Sequence, residues 1–303
     1  MTLQLSDQNH FRFGYNATWY NSRTLPDDQW QVAYGRSRRP VMDWRSECIA
    51  AARAIRSSTD LDLWVLYSGG IDSEVVVQSF MFADIPIKVA ITSFHDDLNI
   101  QDVRYAIKFC ETHDVPYRVL RLDINRFFRS GTALEYAEGT NCVQPQLLHT
   151  MWAMDQVDGY PILGSGECFL ARRNPPGEDE PVWEMFEKER IASWYRHLMK
   201  NNREGCAGFF QFTPEIMLSF LLDETVSRLC TNQIESFSDT MPIKSQIYRK
   251  YFLLEPRKKY HGFENVLHLD ERLRPELERR FGDHNAIARF EYRSLVRMLE
   301  QCS

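Results

Sequence analysis

The chain has 303 residues, of which 44% are hydrophobic and 26% are charged, so it can form one large or two modest folded domains. A net charge of -6 and a pI of about 5.8 argue against a broad nucleic-acid-binding surface. Seven scattered cysteines without a CxxC pair disfavour a disulfide framework or a structural zinc site and favour a reducing compartment. Because the sequence shows no signal-peptide pattern and no membrane-spanning apolar run, we expect a cytoplasmic protein.

Residues 1–40 carry many aromatic side chains, and we expect them to form either a small β-rich lead-in segment or an arm over the main domain. The basic run from Arg36 to Arg39 is interpreted as a solvated loop, with an anion contact as the alternative. From 41 to 57, apolar residues recur at helical spacing, which predicts a helix with one face in the core.

Short apolar segments alternate with helical patterns between 41 and 171. The predicted strands are 61–66, 87–94, 117–122 and 160–163. The predicted helices that follow or separate them are 73–82, 102–113, 123–137 and 144–157. This alternation predicts an α/β core, 41–171, built on a doubly wound parallel sheet, in which ligands bind beyond the carboxyl ends of the strands.

From 172 to 303 helical patterns dominate, and we expect a mainly helical C-terminal part that completes the binding site. Its predicted helices are 183–201, 214–230, 242–252 and 270–301. The loop 172–181 is rich in proline, glycine and acidic residues, and it is open to two interpretations, a mobile lid or a linker.

The most informative stretch runs from Ser68 to Ser73, with the sequence Ser-Gly-Gly-Ile-Asp-Ser, and joins a predicted strand to a predicted helix. Small residues let the backbone approach a ligand, and the free N–H groups at a helix N-terminus favour an anion. The two serine hydroxyls add donors. A carboxylate at Asp72 would repel a phosphate unless a Mg²⁺ ion lies between them. A simple helix cap with a Gly-Gly turn is the alternative, but the complete string is more specific than such a cap.

The string from Ser68 to Ser73 resembles the pyrophosphate-binding loop (PP-loop) of the N-type ATP pyrophosphatases. It lacks the Gly-Lys-Ser/Thr ending of a Walker A loop. Enzymes of this superfamily cleave ATP between its α- and β-phosphates and adenylate a substrate. The resemblance therefore implies ATP and Mg²⁺ as cofactors and an adenine nucleotide α-hydrolase-like fold.

Further motifs, in order between 60 and 265, are similar to the synthetase domain of asparagine synthetases. They are the segment 102–106 after the second strand, the helix 146–152, the Ser-Gly-Glu turn 165–167 and a closing basic pattern over 242–263. Each later motif is weak alone, whereas their order and spacing together indicate an asparagine synthetase-like protein.

This resemblance implies a set of site residues. Those that would bind ATP and its pyrophosphate are Ser68, Gly69, Gly70, Ile71, Asp72, Ser73, Thr92, Ser93, Phe94, Gly164, Ser165 and Gly166. Among them Asp72 would also bind the metal, and the segment 92–94 would border the adenine. Glu167 would assist proton movement near the acyl substrate. Lys258 or Lys259 would stabilise negative charge on the leaving pyrophosphate or on a later tetrahedral intermediate.

The two lysines fit the family spacing in different ways. Counting forward from Arg257 selects Lys259, whereas counting back from Phe263 selects Lys258. We favour Lys259, because the inserted residue is more easily absorbed by the loop that follows it.

The sequence departs from the family at two points. Cys168 follows Glu167 where the family has an Asp-Glu pair, whose Asp is a second metal ligand. Metal binding is thus expected to depend on Asp72 and the phosphates, or on an acid from elsewhere. We also expect no glutaminase domain in this chain, because position 2 is Thr rather than a cysteine nucleophile. We expect the nucleophile to be ammonia, another amine, or a group delivered by a separate amidotransferase or carrier partner.

Together these features predict an AMP-forming amide ligase that adenylates a carboxylate-type substrate and transfers it to an amine, with release of AMP and pyrophosphate. Two alternatives stay open. One is a PP-loop enzyme that modifies a nucleobase or tRNA, which the acidic pI disfavours. The other is a degenerate protein that binds nucleotide without turnover, which the intact 68–73 loop disfavours.

Overall fold

A parallel four-stranded sheet forms the centre of the computed structural model, which describes residues 10–25, 27–174, 181–233, 238–257, 262–282 and 286–300. Before this sheet come strands β1 (Arg12–Tyr15), β2 (Thr18–Trp19) and β3 (Trp30–Ala33) and helix α1 (Trp44–Ser58). The central strands are β4 (Leu63–Leu66), β5 (Lys88–Phe94), β6 (Tyr117–Leu122) and β7 (Tyr160–Leu163). The helices between them are α2 (Ile71–Phe82), α3 (Ile100–Thr112), α4 (Ile124–Arg129), α5 (Thr132–Ala137) and α6 (Pro145–Asp155).

The described C-terminal part contains both strands and helices. Its strands are β8 (Leu170–Arg173), β9 (Val182–Lys188) and β10 (Ile287–Glu291). Its helices are α7 (Ala192–Lys200), α8 (Pro214–Leu221), α9 (Glu224–Cys230), α10 (Met241–Tyr251), α11 (Leu267–Phe281) and α12 (Tyr292–Leu299). Short 3₁₀ helices lie at His95–Asp97, Glu189–Ile191 and Phe209–Gln211.

The central sheet has the strand order β6-β5-β4-β7, and every neighbouring pair is parallel. Val65 at its centre aligns with Val89 on one side and Ile162 on the other. The chain moves outward from β4 to β6 and then returns to place β7 on the other side of β4. This reversal defines a doubly wound sheet and creates a crevice beyond the carboxyl ends of β4 and β7. The predicted α/β fold class is confirmed.

Both faces of this sheet are covered, as a doubly wound fold requires. Successive side chains of a strand point to opposite faces. Val65 belongs to the larger hydrophobic cluster, which also contains side chains of α1, α2 and α3. Its neighbour Trp64 packs in a separate cluster with Ala153 of α6 and Val157. The near-continuous apolar sequence of β4 therefore reflects burial on both sides.

The described residues of the lead-in segment form an antiparallel sheet of the order β2-β1-β3. It is joined to β9 and the turn after it through buried polar contacts. The Tyr34 hydroxyl donates to Glu187 over 2.8 Å, and the Tyr15 hydroxyl donates to Glu189. These contacts tie the first described residues to the second half of the chain.

Four predicted helices are wrong in part. The segment 123–137 is divided between α4 and α5, the segment 214–230 is divided between α8 and α9, and two others contain strands. The sequence predicts a helix throughout 183–201, but its first third belongs to β9, a 3₁₀ helix follows at Glu189–Ile191, and α7 begins only at Ala192. Trp183 and Met185 alternate with partly exposed residues, but Glu187 takes the next buried position, and a buried carboxyl obscures a strand pattern. The predicted helix 270–301 is interrupted by β10, which pairs with β9 in an antiparallel sheet of the order β10-β9-β8.

Strand β8 crosses position 171, where the sequence suggested a change from core to helical part. Its pairing partner β9 lies on the other side of that position. Among the described helices, none is both long enough and apolar enough to span a bilayer.

Candidate active site

The 68–73 loop leaves the carboxyl end of β4 and opens α2, as the sequence predicted. Gly69 has φ of +83°, and a Cβ atom there would lie 2.2 Å from the carbonyl oxygen of Asp102. Only glycine can therefore occupy this position while α3 packs so closely against the loop. A Cβ atom on Gly164 would in turn lie 2.8 Å from the backbone nitrogen of Ser73. The turn after β7 thus lies directly against the start of α2.

Hydrogen bonds within the loop fix its shape. The hydroxyls of Ser68 and Ser73 lie 3.1 Å apart, and the backbone N–H of Gly70 donates to the Ser68 hydroxyl over 3.3 Å. In the described part of the chain, no acceptor is found for the backbone N–H groups of Ile71 and Asp72. Unpaired N–H groups in the first turn of a helix suit an anionic ligand.

A cavity of about 280 Å³ lies between this loop, the carboxyl ends of β5 and β7, and α6. Its polar wall is formed by residues of the loop, the end of β5, the start of α3 and the turn after β7. These polar residues include Ser68, Asp72, Ser73, Thr92, Asn99, Asp102, Thr150 and Ser165. Its apolar residues include Leu66, Ala90, Phe94, Ala153, Leu163, Trp194 and Phe263. The cavity therefore offers hydrogen-bond donors at the loop and an apolar surface beside them.

Three rings form one end of the cavity lining. Phe94, His149 and Phe263 lie within 5.2 to 5.6 Å of one another, measured between ring centroids. Burial lowers the pKa of His149 to about 4, so its imidazole is neutral at physiological pH. A neutral imidazole and two phenyl rings give an uncharged aromatic wall that suits a heteroaromatic ring.

The structure places most, but not all, of the predicted site residues on this cavity. Those that line it are Ser68, Gly70, Asp72, Ser73, Thr92, Phe94, Gly164 and Ser165. The residues of the same segments that are not among the lining residues are Gly69, Ile71, Ser93, Gly166 and Glu167. Lys258 and Lys259 lie outside the described residues, so the preference for Lys259 stays a prediction.

A lysine that the sequence left without a role connects the two predicted loops. The Nζ atom of Lys244, on α10, lies 2.6 Å from Oδ1 of Asp72 and 3.1 Å from Oε1 of Glu167. The Tyr248 hydroxyl donates to the same Asp72 oxygen over 3.0 Å. One ammonium group thus bridges the carboxylate of the 68–73 loop and the carboxylate of the Ser-Gly-Glu turn.

Helix α10 is held in place by aromatic packing. The rings of Tyr248 and Trp44 of α1 lie 4.6 Å apart, and Ile243 and Ile247 are buried in the same cluster. Lys244 and Tyr248 are four residues apart and therefore occupy the same face of the helix. This packing aims both polar groups at Asp72.

Electrostatics keep Lys244 charged although it is only 8% exposed. Burial alone would lower the pKa of Lys244, but Asp72 and Glu167 together raise it above its ordinary value. Burial and the Asp72 carboxylate raise the pKa of Tyr248 well above its ordinary value, so this hydroxyl keeps its proton. The bridge is therefore an ammonium between two carboxylates, with a neutral phenol beside it.

The donor set fits a Mg²⁺ ion that is bound largely through phosphates. Oδ1 of Asp72 is engaged by Lys244 and Tyr248, whereas no described residue donates to Oδ2. The described residues contain no group of three His, Cys, Asp or Glu side chains that could hold a metal. Mg²⁺ is usually bound through one or two carboxylates together with substrate phosphates and water. Asp72 would supply one such oxygen.

Sequence reasoning missed Lys244 and Tyr248 as members of the site. Both fall in the basic pattern 242–263, in which the family spacing assigns a role only to the two lysines near its end. Their spacing of four residues, on a helix beginning with Met241 and Pro242, was the available signal. The spacing alone does not say what the face contacts, because the partner Asp72 is 172 residues away.

No family model matches the sequence, and no curated protein matches it. Among solved structures, the chain is similar to NMN synthetase from Francisella tularensis, with 16% sequence identity and a TM-score of 0.31. The similarity covers 39% of this chain and 52% of that chain, so about half of the matched protein has a counterpart here. With a similarity this limited, the function is inferred from the geometry of the site.

Proposed function

We propose that this chain is an asparagine synthetase-like, AMP-forming ligase that uses ATP to activate a carboxylate-type substrate for attack by an amine. The observation that carries the proposal is the Lys244 bridge between Asp72 and Glu167 beside the 280 Å³ cavity. It unites an anion-binding loop, a buried cation and a proton-accepting carboxylate at one place. These are the three groups that adenylation followed by amide formation needs.

In the first step, an oxygen of the substrate carboxylate attacks the α-phosphorus of ATP. An acyl-adenylate forms, and the bond to the β-phosphate breaks to release pyrophosphate. The N–H groups of Ile71 and Asp72 and the hydroxyls of Ser68 and Ser73 would hold the leaving pyrophosphate. Magnesium, when bound at Asp72, supplies charge neutralisation on the phosphates. The protein contributes position and electrostatic stabilisation.

Lys244 is suited to stabilise the charge that develops on the pyrophosphate. Among the described residues that line the cavity there is no lysine or arginine, whereas Lys244 reaches the cavity wall through Asp72. Lysine is a compact point charge on a flexible stem, so a short movement could carry its ammonium from Asp72 to a phosphate oxygen.

In the second step, an amine attacks the acyl carbon and AMP leaves. The attacking nitrogen must lose a proton, and Glu167 would accept it. The Glu167 side chain is 34% exposed and is held by Lys244 at 3.1 Å. Release of Lys244 to the phosphates would free Glu167 for this task, which couples the two steps.

The test is product analysis. The protein is incubated with Mg²⁺-ATP, ammonium and a panel of carboxylic acids, and nucleotides are separated by chromatography. We expect AMP and pyrophosphate in equal amounts, dependent on one acid of the panel. ADP and phosphate as main products would refute the proposal. ATP binding without AMP formation under any condition would favour the nucleotide-binding protein without turnover, and stimulation by added tRNA would favour the nucleobase-modifying alternative.

A further inference from the structure

The segment that follows α10 is attached along the outer side of α2. The Gln78 side chain donates to the Leu253 carbonyl over 2.9 Å and accepts from the Leu253 N–H over 3.1 Å. Residues 252–257 therefore run beside the helix that the 68–73 loop opens. The side chain of Arg257 in this segment turns toward the loop.

The Arg257 side chain makes its contacts behind the loop. Its Nη1 donates to the carbonyl oxygen of Gly69 over 2.6 Å, and its Nη2 forms an ion pair with Glu74 of α2. Its guanidinium lies 5.0 Å from the ring centroid of Tyr105. Glu74 also accepts a hydrogen bond from the Tyr67 hydroxyl over 2.6 Å. The side chains of Arg257 and Glu74 are only 7% and 3% exposed, so the ion pair is shielded from solvent.

The bond to Gly69 determines how the next peptide group faces the cavity. In a trans peptide the C=O of one residue and the N–H of the next point in opposite directions. Because Arg257 holds the Gly69 carbonyl on the outer side of the loop, the Gly70 N–H is directed to the inner side. There it donates to Ser68, and Gly70 itself lines the cavity. Gly69 has φ of +83° and Gly70 carries no Cβ, so both can rotate easily once this hold is lost.

We propose that Arg257 is a positioning residue for the pyrophosphate part of ATP. Its guanidinium keeps the Gly69–Gly70 peptide in the orientation that holds the Gly70 N–H, and the Ser68 hydroxyl to which it donates, on the side of the loop where the phosphates would bind. This inference rests on the proposed function, since it assumes that the 68–73 loop binds ATP. Arg257 acts through the backbone and from behind the loop, without touching the nucleotide.

The fork of an arginine is required for this role. One guanidinium nitrogen binds the carbonyl while the other binds Glu74. A lysine in the same place keeps the charge but cannot make both contacts in a fixed geometry. Arg257→Lys is therefore the informative change, because it separates the charge of the side chain from its ability to orient the peptide.

Binding of three probes, measured by calorimetry in the presence of Mg²⁺, tests the inference. For Arg257→Lys, we expect ATP and inorganic pyrophosphate to bind at least about tenfold more weakly, the affinity equivalent of one strong hydrogen bond. AMP, which lacks the β- and γ-phosphates, should bind within about twofold of the wild-type affinity, because the adenosine end of the cavity is unchanged. A general loss of packing would weaken all three probes alike.

Arg203→Lys is the matched control. The Arg203 guanidinium also binds backbone carbonyls, including that of Gly159 at 3.1 Å, and an acid, Asp155, at 3.6 Å. It does so before the amino end of β7, at the opposite edge of the sheet from the cavity. We expect Arg203→Lys to lower thermal stability as Arg257→Lys does, while its affinities for ATP, pyrophosphate and AMP stay at wild-type values.

Glu74→Gln is a second, milder variant that tests the positioning role of Arg257 if Arg257→Lys does not fold. It preserves the shape of the side chain and its bond from Tyr67 but removes the charge that anchors Arg257. We expect a smaller loss of affinity than for Arg257→Lys, and again for ATP and not for AMP. Wild-type ATP affinity in the folded variants, or an equal loss of AMP binding, would overturn the role of Arg257 and leave the proposed function standing. Failure of the wild-type protein to bind ATP would overturn both.

Discussion

Replacing Lys244 by methionine tests the centre of the proposed mechanism. Methionine has a similar length and fills the same space, but it removes the ammonium that lies 2.6 Å from Asp72 and 3.1 Å from Glu167. These two distances limit the separation of the two carboxylate oxygens to about 6 Å. Without the bridge, Coulomb's law gives roughly 1–3 kcal/mol of repulsion at that separation near a protein surface. The loss of stability should lie in this range when measured by urea unfolding.

Lys244→Met should lower the rate of AMP formation much more than its small effect on folding stability could explain. Removing one group that stabilises developing charge typically lowers the rate on the order of 100-fold or more. We expect Lys244→Met to lose AMP formation by at least that factor while the protein remains folded. Lys244→Arg, which keeps the charge in a bulkier and more rigid group, should recover only part of the rate.

Lys250→Met provides the control on the same helix. Lys250 also pairs with an aspartate, lying 3.1 Å from Asp223, but it projects from another side of α10 and its partner caps α9. This variant should keep the wild-type rate. Wild-type turnover in Lys244→Met, measured as AMP and pyrophosphate released per enzyme, would refute the assignment of Lys244 to the reaction.

Three further predictions follow from the site and its surroundings. Asp72→Asn should lower AMP formation far more than it lowers the melting temperature, and a mutant with the wild-type rate and Mg²⁺ dependence would remove Asp72 as a metal ligand. Of Lys258→Ala and Lys259→Ala, the second should reduce ATP–pyrophosphate exchange on the order of 100-fold, whereas a severe loss in the first alone would reverse the choice. Burial, opposed by the bond from Tyr34, raises the pKa of Glu187 from 4.5 to about 7. At pH values between 4.5 and about 7, Glu187 keeps a proton in the folded state that it releases in the unfolded chain. The free energy of unfolding should therefore fall as the pH rises through this window, by on the order of 3 kcal/mol in total. Glu187→Gln should abolish that fall in urea unfolding at pH 5 and pH 8, and an unchanged slope would show that another group titrates.

Local sequence determined the loop and the class of the sheet, because both depend on neighbouring residues. The apolar segment of β4, the glycines and serines of the 68–73 loop, and the periodicity of α2 are contiguous, so each could be identified from its own chemistry. The alternation of strands and helices then left few topologies for the central sheet. Only the structure explains why position 69 must be glycine. A side chain there would collide with the backbone carbonyl of Asp102, which is distant in the sequence.

The ion pairs and the long-range hydrogen bonds of the site were decided by the tertiary structure. Lys244 and Asp72, like Arg257 and Gly69, are far apart in the chain, and nothing in either local sequence specifies its partner. The same applies to β9, where Glu187 is buried because Tyr34, more than 150 residues earlier, satisfies its carboxyl group. Hydrophobic periodicity indicates which side of a segment packs against the core, but it does not specify individual contacts. A buried charge is stable only beside a particular partner, and that partner is brought near by packing of the complete chain.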